Sequence, residues 1–171
     1  MTTTQQTVQV YKIYIKATPE AIWDAITKPE WTAKYGYAGV VDYDLKPGGA
    51  AKTYPSDAMR DAAKTQGYDI PDLLIDGEVL EANAPHKLVI TWRMLMDPTC
   101  AAEGFTTLTH EISEVEGGYC ALTVSHDVTN APTVAVMVQG DNADPGQGGG
   151  GHPWILSDLK SLLETGKTLA G

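Results

Sequence analysis

Polar and apolar residues alternate from position 7 to 16. Val8 and Val10 fall on one phase and Tyr11, Ile13 and Ile15 on the other, so a strand is expected, either bulged at the phase change or covered on both faces. Thr18-Pro19-Glu20 then has the chemistry of a helix start: a capping hydroxyl, a proline at the first helical position and an acid at the positive end. Ile22, Ala25 and Ile26 supply its apolar stripe. Lys28-Pro29-Glu30 restarts a second short helix carrying Trp31 and Tyr35, which Gly36 can end. Residues 37–45 and 50–54 read as strands joined at Pro47-Gly48-Gly49.

Residues 55–72 break the alternation. Ala58, Met59, Ala62 and Ala63 recur at helical spacing, so a short helix inserted between strands is expected. Alternation resumes over 73–81, 87–96, 105–115 and 119–126, the last two joined by a hairpin at Gly117-Gly118. Residues 127–151 read as loop, ending in the glycine run 148–151, a flexible hinge before the terminal helix. That helix starts near Pro153 and ends at Gly166. Ile155, Leu156, Leu159, Leu162 and Leu163 form its apolar face, with Asp158, Lys160, Ser161 and Glu164 opposite. The order is strand, two short helices, about six more strands and a long helix. An antiparallel sheet and one amphipathic helix share a core only if the sheet curls round the helix, and a curled sheet leaves space for a small molecule.

Composition narrows the partners. The 171 residues fit a single domain spanning 1–171. A formal net charge of −10 disfavours phosphate backbones and anionic lipid, so neither nucleic acid nor membrane insertion is expected. Asp42, Asp44, Asp57, Asp61, Asp69, Asp72 and Asp76 read as a solvated acidic face. Met1 to Thr7 lacks the apolar core of a signal peptide. Cys100 and Cys120 fit no metal spacing and read as reduced thiols in a cytoplasmic protein. No nucleophile elbow, phosphate loop or dinucleotide fingerprint occurs, so no cofactor and no metal are expected.

The hairpin at 117–118 places side chains. Leu108, His110 and Ile112 share one face, and Cys120, Leu122, Val124 and His126 share one face of the next strand. Setting Ile112 opposite Leu122 places His110 opposite Val124 and His126 opposite Leu108, so the two imidazoles are diagonal neighbours with backbones roughly 7–8 Å apart. His152, if helical, lies on the side of Leu156 and Leu159. An inward imidazole can be a satisfied core group, a ligand's hydrogen-bond partner, a general acid or base, or a metal ligand. Without an HxH or HxxxH spacing, metal is the weakest of these. Trp92 and Met94 share an inward face with Leu88 and Ile90.

The stretch Tyr14-Ile15-Lys16-Ala17-Thr18-Pro19-Glu20-Ala21-Ile22-Trp23-Asp24-Ala25-Ile26-Thr27-Lys28-Pro29-Glu30 resembles the opening motif of the heat-shock-protein-90 ATPase activator homology family. Asp44-Leu45-Lys46-Pro47-Gly48-Gly49 is similar to its second motif, and residues 153–166 to its terminal helix. The resemblance implies an α+β, helix-grip fold of the START-like, SRPBCC superfamily: a curved antiparallel sheet wrapped round a long C-terminal helix. It implies a small hydrophobic ligand, with Trp31, Tyr35 and Tyr37 at the cavity mouth. With Trp92, Met94, His110, His126, His152, Leu156 and Leu159 they complete the candidate lining. Two other functions follow from the same resemblance. One is a cyclase/dehydratase or hydrolase on an aromatic or polyketide-like substrate, using His110, His126 or His152. The other is a module that activates a chaperone ATPase. A monomer or homodimer is expected. Where the family often has Trp before the terminal-helix proline, this chain has His152, and the 55–72 segment is additional to the minimal domain.

Overall fold

The computed structural model describes residues 7–140 and 149–169. Among these residues eight strands form one curved antiparallel sheet: β1 (Val8–Ile15), β2 (Val40–Tyr43), β3 (Ala51–Tyr54), β4 (Ile75–Asp76), β5 (Val79–Asn83), β6 (Lys87–Met94), β7 (Thr106–Val115) and β8 (Tyr119–Asp127). Their order is β1-β8-β7-β6-β4-β3-β2, with β5 also paired to β6. The helices are α1 (Pro19–Thr27), α2 (Pro29–Thr32), α3 (Asp57–Gln66), α4 (Pro98–Ala102), α5 (Pro132–Gln139) and α6 (Gly151–Thr165). The fold is α+β of the helix-grip type, as the element order implied.

One apolar cluster joins the layers. Ile15 of β1, Leu88, Ile90 and Trp92 of β6, Leu108 and Ile112 of β7, and Leu122 and Val124 of β8 meet Ile22 and Ile26 of α1, Val134 and Val138 of α5, and Leu156 and Leu159 of α6. The β7–β8 register has Ile112 opposite Leu122, His110 opposite Val124 and Leu108 opposite His126, as the hairpin reading required. Thr18 Oγ caps α1 by accepting from the Ala21 amide (3.1 Å), and Gly166 closes α6 with φ +77°.

Several expectations need correction. The phase change in β1 is neither a bulge nor double coverage. Its register to β8 runs unbroken from Val8–Asp127 to Ile15–Cys120, and Val8 and Val10 are 47% and 61% exposed. β-branched residues favour strands whether or not they are buried, so those two valines carry no facial information. Helix α2 ends at Thr32, and Tyr35 lies in the turn beyond it. The strand read over 73–81 is split at Gly77, where a side chain would collide with the Thr91 carbonyl oxygen. Asp76 leaves the solvated acidic face and is half-buried, forming a bidentate pair with Arg93 (2.9 and 2.6 Å). Residues 98–102 form α4, whose N-cap is Asp97.

The segment 127–151 is not all loop, because it contains α5. Val134 and Val138, four apart, bury one side of that helix. Ala131 supplies no capping oxygen. The Glu103 carboxylate, distant in sequence, accepts from the amides of Thr133 and Val134 instead (both 2.9 Å). Partial burial pushes the Glu103 carboxyl up, but those two amides outweigh it and hold it below its usual range. The hinge expected at 148–151 also changes character. Gly148 lies outside the described residues, and residues 149–151 are buried. A Cβ on Gly151 would strike the Val138 carbonyl, so glycine serves close backbone contact with α5 there. Asp158, placed on the polar face of α6 by its spacing, is 3% exposed. Its carboxylate accepts from the amides of Gly36 and Leu169 (2.7 Å each).

Candidate functional site

Three of the four histidines face the interior. His126 of β8 is fully buried, with its neighbours on both sides of the strand fixed by the ladder: Gln9 in β1 and Leu108 in β7. His152 enters because α6 starts two residues before Pro153 and so carries it. His126 Nδ1 lies 3.0 Å from His152 Nε2, and His126 Nε2 lies 2.7 Å from Thr106 Oγ1. Trp92 meets the His126 ring edge-on at 5.1 Å, and Tyr11 tilts over His152 at 5.3 Å. The Tyr11 hydroxyl donates to Gln9 Oε1 (2.6 Å), whose amide donates to the Ala135 carbonyl (2.9 Å).

These contacts give the hydrogen bonds a direction. The Thr106 hydroxyl has one proton, and it goes to the Trp92 carbonyl (2.9 Å), which can only accept. Thr106 Oγ1 is therefore the acceptor toward His126, so His126 Nε2 carries a hydrogen. In a neutral ring Nδ1 is then bare, and His152 Nε2 must be the donor to it. The relay runs from His152 to His126 to Thr106 to the Trp92 carbonyl.

Neutrality follows from the surroundings. Desolvation, and to a lesser degree the neighbouring imidazoles, bring His126 down to about 3. Desolvation and then His152 bring His110 to about 3. Desolvation alone brings His152 to about 4. His110 Nδ1 is buried and has no hydrogen-bond partner among the described residues. Such an orphan is uncommon in a native interior.

The remaining candidates divide into two groups. Trp92, Met94, Leu156 and Leu159 belong to or pack on the core beside the histidines. Trp31, Tyr35 and Tyr37 sit around the link from α2 to β2. Trp31 stacks under the Lys34 ammonium (4.7 Å), the Tyr35 hydroxyl donates to the Ala25 carbonyl (2.8 Å), and the Tyr37 hydroxyl accepts from the Gly150 amide (2.8 Å). That last bond brings the link to within two residues of His152. Burial raises the Tyr35 hydroxyl well above its ordinary value and Tyr43 to about 12. Yet Tyr11, Tyr35, Tyr43, Met94, His110 and His152 are all only half-buried. Tyr35, Tyr43, His110 and His152 among them are desolvated and still keep part of their surface exposed.

Sequence reasoning missed Thr106, Tyr11 and Gln9. Thr106 was within reach, since it shares the period-two face of Leu108 and His110. Tyr11 shares its face with Ile13 and Ile15 in the same way. The link from Gln9 to Ala135 had no signal, because it depends on α5.

Two open surface grooves lie elsewhere. One, of about 380 Å³, runs beside the β7–β8 hairpin and is lined by Thr18, Glu116, Tyr119 and Cys120 among others. The other, of about 500 Å³, lies between α4 and α5 and includes Cys100 and Met137. Neither is lined by any of the ten candidate residues. Both cysteines are free and buried, and burial raises both thiols. Among the described residues, no group of three or more His, Cys, Asp or Glu is placed to hold a metal ion, and no helix is long and apolar enough to cross a membrane.

Comparison with known proteins gives a consistent picture. The model of the family described as "Activator of Hsp90 ATPase homolog 1-like protein" matches residues 16–164. No protein of curated function matches the chain in sequence. Among solved structures, protein MLL2253 from Mesorhizobium loti superposes with a TM-score of 0.62 at 17% identity, covering 92% of this chain and 96% of that one. The Aha1 dimer from Colwellia psychrerythraea gives 0.56 at 16% identity, with 94% and 98% covered. DynU16, a protein in the dynemicin biosynthetic locus, gives 0.60 at 18% identity, with 94% of this chain and 48% of that chain covered. At these identities the likeness is one of fold.

Proposed function

The chain belongs to the Activator of Hsp90 ATPase homolog 1-like family, and from that premise we propose that it binds a small, mainly hydrophobic molecule between the concave face of its sheet and α6. The observation that carries this reading is the set of half-buried rings around a neutral, hydrogen-bonded histidine pair. An apolar wall with a few fixed polar groups is the usual make-up of a small-molecule site. Trp92, Met94, Leu156 and Leu159 form the wall, His110, His126 and His152 are the polar groups, and Trp31, Tyr35 and Tyr37 stand at the mouth. The structural neighbours support the fold of this reading, and the ligand is argued from the residues.

Thermal unfolding against a panel of hydrophobic aromatic compounds tests it. A compound present at a hundred times its Kd adds about 2.7 kcal/mol, which for a chain of this size raises Tm by roughly 5–10 °C. The same compound should change the fluorescence of Trp92, measured against a Trp92→Phe control. A panel that leaves both Tm and emission unchanged would remove the proposal.

The relay favours a second reading, acid–base catalysis. The donor-to-acceptor chain below His152 leaves its Nδ1 lone pair outside the relay, and desolvation keeps that nitrogen unprotonated at neutral pH and able to accept a proton. In that case His152→Gln, whose amide oxygen can still accept a hydrogen bond, lowers turnover by at least about a hundredfold, well beyond its effect on binding. Equal turnover in variant and parent would leave binding as the whole function.

A further inference from the structure

The relay has one open end. His126 uses both ring nitrogens, Thr106 spends its only proton on Trp92, and His152 Nε2 donates to His126. A neutral His152 therefore keeps a lone pair on Nδ1 that takes no part in the relay, and no hydrogen bond to it forms among the described residues. A second polar atom waits nearby. His110 Nδ1 is enclosed and unpartnered among the described residues, and His110 is close enough to His152 that a charge on His152 would disfavour one on His110.

Resting on the cavity reading above, we infer that the interior site selects an uncharged ligand carrying a hydroxyl group, which donates to His152 Nδ1 at the open end of the relay. A hydroxyl is the fitting group because it offers one proton to a lone pair and can still accept from a second imidazole. An ether or ketone brings lone pairs to a lone pair, and every other proton of the relay is already committed. A carboxylate meets the same lone pair with a full charge. Among the described residues, the groups that bear on the titration of these histidines are their own rings and Asp127, and none of these is a fixed cation that would hold it. A buried acceptor left unpaired weakens binding of the wrong ligand, and this is how a polar group in an apolar site confers selectivity.

Naphthol, its methyl ether and naphthoate are suitable probes, with binding measured by calorimetry at neutral pH on the whole chain. Naphthol is expected to bind about tenfold more tightly than the ether and more tightly than naphthoate. In His152→Phe the preference for naphthol over the ether should collapse to within about twofold. Nitrogen NMR of the free protein supplies a check independent of any ligand: His126 and His152 should both be neutral with the proton on Nε2. Equal affinity for naphthol and its ether would overturn the inference while leaving an apolar cavity. So would preferred binding of naphthoate, or a His126 proton on Nδ1. If neither naphthol nor the ether binds a folded sample, the cavity reading fails as well.

Discussion

Lowering the pH from 7 to 5 is expected to remove about 5 kcal/mol of folding stability, a large share of the roughly 5–15 kcal/mol that holds a domain folded. The loss comes from three histidines that the fold keeps neutral. Unfolded, each titrates near 6.5. Folded, burial and then the neighbouring imidazoles bring His110 and His126 to about 3, and burial alone brings His152 to about 4. A depressed histidine pKa means the unfolded chain binds more protons between those values, so stability rises with pH across the window and falls as acid is added. The contribution is complete above about pH 6.5 and declines by about 1.4 kcal/mol per histidine for each pH unit below it. Asp127 attracts a proton toward His126, but it opposes the shift only weakly against desolvation. Glu103 and Glu164, whose carboxylates are held below their usual range, add their own loss only at lower pH. Urea unfolding between pH 7.5 and 5 should therefore show a slope approaching three protons. A slope below one proton would mean that the native histidines charge freely and that the interior is wet. His110→Leu separates one member. It removes an orphaned polar atom, so it should be near neutral at pH 7 and about 2 kcal/mol more stable than the parent at pH 5.

The parts of this site legible in the sequence were those set by short-range periodicity. The Gly117-Gly118 turn fixes the β7–β8 register, and with it the diagonal of His110 and His126. The apolar stripe from Leu156 to Leu163 places His152 on the inward side of α6. Features that depend on contacts distant in sequence were not legible. The cap on α5 comes from Glu103, thirty residues before Thr133, so no local capping side chain marks its start, and Pro132 and Gly140 are the local signs of that helix. The relay needs Thr106 opposite Trp92, a cross-strand pairing that alternation permits but does not select. Asp158 was misplaced for a related reason. Helical spacing sets it at the border of the apolar face, and only the arrival of the Gly36 loop and the C-terminal segment turns that border inward.

Asp158 carries the other large expected effect. Its two carboxylate oxygens each accept one backbone amide at 2.7 Å, Gly36 on the link between α2 and β2 and Leu169 beyond α6. Hydrogen bonds to a carboxylate contribute about 1.5–3 kcal/mol each, and an amide left buried and unpaired costs about 1–3 kcal/mol. Asp158→Ala should therefore destabilise the fold by about 3–5 kcal/mol in urea. Asp158→Asn keeps one accepting oxygen and should lose roughly half as much. Both amides should lose hydrogen-exchange protection in the alanine variant and only one in the asparagine variant. Gly36 also sits against Ile155, with its φ of +62° in the region that favours glycine, so the loop has no alternative seat once its anchor is gone. Freed from Asp158, this loop would release Tyr35 and Tyr37 from their places beside α6, so weaker binding of any interior ligand should accompany the lost stability. A fall of less than 1 kcal/mol for Asp158→Ala would show that the link between α2 and β2 is held by something other than this carboxylate.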